Sequence, residues 1–101
     1  MKLRYAPRAY ADIADIYENI AKYNDRAAVA VVKRIRTTCE LVARFPDLGR
    51  ETDIAGVRVF PIARFPYLVY YRLRENEPVI IHVLGTATNR PTASFSFHRA
   101  L

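Results

Sequence analysis

Apolar positions alternate briefly, then recur every three to four residues, then alternate again. In residues 2–6, Leu3 and Tyr5 fall on one side and Lys2 and Arg4 on the other, which predicts a short strand. Ala9, Ile13, Ile16, Tyr17 and Ile20 then follow helical spacing to about residue 23, with Asp12, Asp15 and Glu18 off the stripe. Pro7 suits the first turn of that helix, where its missing N–H costs nothing. Asp12 is the acid nearest the helix start, where the macrodipole favours negative charge. Asn24-Asp25 breaks the pattern and can cap a second helix over roughly residues 26–44. Its stripe is Ala28, Val32, Ile35, Cys39 and Val42, widened by Val31 and Leu41, with Lys33, Arg34 and Arg36 opposite. Two helices joined by so short a break predict an antiparallel hairpin.

Pro46 cannot continue the second helix, and Gly49 permits a positive φ at its end. The polar stretch 50–56 reads as a loop. Three strands are expected at 57–62, 67–74 and 79–86, joined at Phe65-Pro66 and at Glu75-Asn76-Glu77-Pro78. The middle strand is apolar almost throughout, as a central strand would be, and Tyr70 and Tyr71 point to opposite faces. The order β-α-α-β-β-β predicts an α+β fold, an N-terminal helical hairpin (about 7–45) packed on a small antiparallel sheet (about 57–86), followed by a tail at 87–101. A chain of 101 residues is one domain.

Charge sharpens this picture. The formal charge is +6, and residues 58–101 hold six Arg, no Lys and two acids, Glu75 and Glu77, so they carry +4 of it. Arg grips phosphate or carboxylate through a planar fork. Arg58, Arg64, Arg72, Arg74 and Arg90 on a small sheet therefore read as a surface for an anion, either nucleic acid or an acidic protein segment. Proton-transfer groups are few: His82, His98, Tyr70 and Tyr71. His82 sits mid-strand among Ile81, Val83 and Leu84, where a structural role is expected. The single Cys39 cannot form an intrachain disulfide and reads as a small core residue, which fits a reducing cytoplasm. No signal peptide or membrane-length apolar run is visible, and no metal or cofactor site is expected from so few, scattered ligands. Neither helix looks like a base-reading helix, so direct DNA binding by this chain alone is not expected.

This order resembles the RelE/ParE superfamily, the toxins of type II toxin–antitoxin modules. The resemblance rests on Pro7, Ala9 and Asp12-Ile13; on 45–50, Phe-Pro-Asp-Leu-Gly-Arg; on Gly56-Val57-Arg58; on 65–72, Phe-Pro-Tyr-Leu-Val-Tyr-Tyr-Arg; and on 79–84, Val-Ile-Ile-His-Val-Leu. Ala6 replaces the Ser often found before the helix-opening Pro. Gly85 and Thr88 stand where many members have a His and an Arg, and Arg90 is a displaced basic residue. The resemblance implies a plasmid-stabilisation type toxin, neutralised by an acidic cognate antitoxin that folds on binding. The antitoxin would contact Ile13, Tyr17, Ile20 and Arg72. ParE-like members poison DNA gyrase and arrest growth, with Arg58, Arg64, Arg72 and Arg90 as the target surface. RelE-like members cleave messenger RNA in the ribosome, and for that chemistry Arg58, Arg64, Arg90 and His98 would be the catalytic groups. A third possibility is an inactive homologue that serves only as a complex partner. The scarcity of an acid/base pair favours the gyrase reading.

Overall fold

The computed structural model of the chain describes residues 2–86. Its elements are β1 (Arg4–Tyr5), α1 (Pro7–Ala21), α2 (Asp25–Arg44), a 3₁₀ turn (Pro46–Leu48), β2 (Arg50–Glu51), β3 (Arg58–Pro61), β4 (Tyr67–Arg74) and β5 (Glu77–Gly85). The two helices pack on one face of a five-stranded sheet ordered β1-β5-β4-β3-β2. β1 runs parallel to β5, and the other pairs are antiparallel. The α+β class holds, but the sheet is mixed rather than antiparallel. Parallel neighbours need a long connection, and the chain between β1 and β5 supplies it.

The helices begin as their sequences dictate. α1 opens on Pro7 with no side-chain cap from Ala6, and it ends at Ala21, two residues short of the expected limit. Asn24 caps α2 by accepting from the Ala27 N–H at 3.0 Å. Ala9, Val31, Ile35, Cys39 and Val42 from the helices meet Ile62, Val69, Tyr71, Ile80 and Val83 from the sheet, with Ile13, Ile16 and Ile20 packed around them. A smaller cluster of Val57 and Ile81, with Ile54, Tyr70 and Leu84, lies on the other sheet face.

Four expectations change. The stretch read as a loop from residue 50 contains β2, which pairs Arg50 with Val59 and Glu51 with Arg58. A two-residue edge strand leaves no periodic signal to read. The β4–β5 turn is only Glu75-Asn76, both with positive φ (52° and 67°), so β5 starts at Glu77. Such a two-residue turn matches the twist of the flanking strands, usually with Asn-Gly, and Glu75 hides it. Pro78 is tolerated inside β5 because pairing with β1 begins only at Val79. Gly49 has φ −73°, not a positive value; its need for glycine is close approach, since a Cβ there would lie 2.8 Å from Tyr71 Cε1 and nearer still to the hydroxyl.

Asp12 also does something other than face the macrodipole. It lies beyond the first turn of α1 and turns inward, with its side chain 14% exposed. Its carboxylate accepts from the Val83 N–H at 3.0 Å and lies 2.7 Å from His82 Nδ1. β1 is too short to cover this length of β5, so Asp12 takes the place of a strand neighbour there. A register shift between Tyr70 and Tyr71 leaves Ile81 as an extra residue just before this point.

Asp12→Ala therefore orphans two buried groups and should cost roughly 1–3 kcal/mol for each. Asp12→Asn keeps an acceptor oxygen and should cost less. Urea unfolding of the three proteins checks the ranking; equal stability of Asp12→Ala and wild type would contradict it.

Candidate functional site

The strand register sorts the arginines onto two faces, because residues paired across strands share a face. One row runs Glu51, Arg58, Tyr71, Ile80, Tyr5 and faces the helices. Here Arg58 and Tyr71 hold the exit of α2. The Tyr71 hydroxyl donates to the Pro46 carbonyl at 2.5 Å and accepts from the Gly49 N–H at 2.8 Å. Arg58 donates to the Gly49 carbonyl at 2.6 Å and lies 3.6 Å from Glu51 and 4.0 Å from Asp47. Burial raises the Tyr71 pKa, against the Gly49 hydrogen bond and the Arg58 charge. Both groups are thus committed to holding the chain.

The opposite face carries the other row, Arg50, Val59 and Tyr70, and the row Arg72, Val79, Arg4, while His82, paired with Tyr70 at the register shift, is held by Asp12 of α1. Arg74 pairs with Glu77 at the hairpin end. Arg4 donates to Glu77 at 2.8 Å, and this hydrogen bond leads in lowering the Glu77 pKa. Of the four arginines on this face, Arg4 is the one ion-paired to Glu77 among the described residues. Arg72 is half-buried beside Tyr70, and its Nε has no hydrogen-bond partner among the described residues. Such a face suits an acidic or phosphate-bearing partner.

The sequence-predicted residues are only partly brought together. Arg72 lies on this face, whereas Arg58 is on the other. Arg64 is exposed in the β3–β4 connection with φ 76°. Arg90 and His98 lie outside the described residues. Ile13 and Ile20 are half-buried against the chain's own core, while Tyr17 remains exposed on α1. Arg74, read as part of the basic run, lies on this face, and Arg4 and Arg50 join it without having been singled out. Arg74 shares a face with Arg72 at a two-residue offset, whereas Arg4 and Arg50 needed the register. His82 is 2% exposed and is engaged by Asp12. No group of three or more His, Cys, Asp or Glu among the described residues could hold a metal. No helix among them is long and apolar enough to cross a membrane.

The core thiol is chemically quiet. Burial pushes Cys39 up from 9 to about 12, against a Tyr5 hydrogen bond that lowers it. A raised folded-state pKa means that the folded protein holds its proton longer than the unfolded chain. The associated stability is present below about pH 9 and is lost as pH rises toward 12. Wild type should therefore lose more stability across that window than Cys39→Ala, measured by urea midpoints. Parallel curves would contradict the assignment. Tyr71→Phe, by removing both hydroxyl contacts, should lower stability by roughly 1–3 kcal/mol in the same assay.

The family profile described as the ParE toxin of type II toxin–antitoxin system, parDE, matches residues 3–90. A protein of Sinorhizobium fredii, Y4kP, named as a candidate toxin, is 30% identical over 79 residues, covering 78% of this chain and 82% of that protein. A solved structure described as the chromosomal ParDE TA system from P. aeruginosa is similar in fold, with a TM-score of 0.76 and 23% identity over 84% of this chain and 95% of that one. The chain belongs to the ParE toxin family of type II toxin–antitoxin systems.

Proposed function

We propose that this ParE-family toxin is held inactive by an acidic cognate antitoxin and, once released, arrests growth by binding DNA gyrase. In that role it stabilises the replicon that carries it. The carrying observation is the division of labour across the sheet. Arg4, Arg50, Arg72 and Arg74 share one face, while two of the proton-transfer candidates, His82 and Tyr71, are engaged in structural hydrogen bonds, which leaves Tyr70 as the described candidate on the basic face. A recognition surface needs charge and shape. Cleavage of RNA would in addition need a base for the 2′-hydroxyl and an acid for the leaving oxygen. The arrangement favours recognition. The P. aeruginosa ParDE structure, solved as a toxin–antitoxin system, supports the antitoxin half of the reading.

Purified chain should inhibit gyrase supercoiling and accumulate cleaved DNA, and should leave messenger RNA intact on programmed ribosomes. Arg72→Glu should weaken the gyrase effect about tenfold or more while remaining folded by circular dichroism. Ribosome-dependent cleavage with untouched gyrase would replace this reading with the ribonuclease one.

A further inference from the structure

The helical layer has an outer side as well as the side that covers the sheet. There α1 leaves Tyr10 (62% exposed) and Tyr17 (39%) in solvent, and α2 leaves Val29 (48%). Tyr10 and Tyr17 are seven residues apart and share one line along α1. The Tyr10 ring lies 5.2 Å from that of Tyr5, which hydrogen-bonds Cys39 of α2. The tyrosine line therefore runs on the flank of α1 that faces α2. On α2, Val29, Lys33 and Arg36 recur at four and three residues and form a second line, and the Arg36 charge reaches Tyr5. The two lines border the crease between the helices. Exposed apolar side chains grouped in this way mark a contact surface.

The charges beside the crease say what covers it. Asp15 and Glu18 stand on the solvent side of α1, and Lys33 and Arg36 on that of α2, all four exposed. None of them has an ion pair among the described residues. Arg8 and Lys22 sit at the two ends of α1, outside these central pairs. An acidic partner would face Asp15 and Glu18, and a basic one would face Lys33 and Arg36. A second copy of the chain satisfies both. Turned about a two-fold axis parallel to the helices, it lays its α2 over α1 and its α1 over α2. Acids then meet bases twice, and the tyrosines and Val29 are covered between them. A two-fold axis across the helices would set acids on acids, which repel.

We propose that two copies of this chain pair through the outer sides of their helical hairpins, α1 of each against α2 of the other, as in a four-helix layer. The helices cover one face of each sheet, so the basic faces point outward on the two sides of the pair.

The purified full-length chain is weighed by sedimentation equilibrium over a range of concentrations. Wild type should associate reversibly to a dimer. Glu18→Lys and Lys33→Glu should each raise its dissociation constant about tenfold or more, because each sets like charges together. The double variant should recover most of that loss. Arg74→Glu, on the far face of the sheet, should associate as wild type does. A wild-type monomer at every concentration, no effect of either single change, no recovery in the double variant or a loss confined to Arg74→Glu would overturn the proposal. Tighter association of Glu18→Lys alone would do the same, since it would place acid against acid. All the altered side chains are exposed. Circular dichroism checks folding, and if Glu18→Lys fails to fold, Asp15→Lys combined with Lys33→Glu completes the same cycle.

Discussion

The Tyr71 hydroxyl, held between the Pro46 carbonyl and the Gly49 N–H, is the contact on which the arrangement of this molecule turns. It ties the end of the helical layer to the central strand of the sheet. Arg58 completes the tie from the neighbouring strand by taking the Gly49 carbonyl. With that segment fixed, the next two residues fall beside β3 and become β2. The contact works only because residue 49 has no side chain, since the phenol ring fills the space a Cβ would need. A buried hydroxyl that both donates and accepts costs little to desolvate, whereas one stripped of partners is expensive.

From this tie follows the separation of charge. Arg58 is drawn to the helix side by Gly49 and Glu51, so it supports the fold. Arg72, one strand over and out of phase with it, is left on the other side with Arg4, Arg50 and Arg74. Asp12 performs a second, independent closure at the far edge of the sheet. It covers the part of β5 that β1 is too short to reach and engages His82 in doing so. The chain's chemistry-bearing side chains are therefore divided between holding the sheet together and presenting a basic surface.

Much of the architecture was legible because it depends on local period and punctuation. The stripe from Ala9 to Ile20, the Asn24 cap and the apolar run of β4 each specify their element alone. What was illegible depends on partners distant in sequence. Gly49 looked like a helix stop because a glycine after Pro46 usually is one; its real constraint lies 22 residues away on Tyr71. Asp12 looked solvent-facing because its partners are 70 and 71 residues on. Arg58 and Arg72 looked equivalent because the face each occupies is fixed by register across β3 and β4. The burial of His82 was readable from its apolar neighbours, while the clustering of Arg4 and Arg50 with Arg72 was not readable from any single segment.

Arg58 is tied to Gly49 and Glu51, whereas Arg72, on the opposite face, is the arginine to which the proposed recognition role falls. The direct measurement compares Arg58→Gln and Arg72→Gln for thermal midpoint and for growth arrest on expression without an antitoxin, at a temperature where both stay folded. Arg58→Gln should lower the midpoint and still arrest growth, whereas Arg72→Gln should keep the midpoint and lose arrest. Loss of arrest in Arg58→Gln with an unchanged midpoint, and full arrest in Arg72→Gln, would contradict this division of roles.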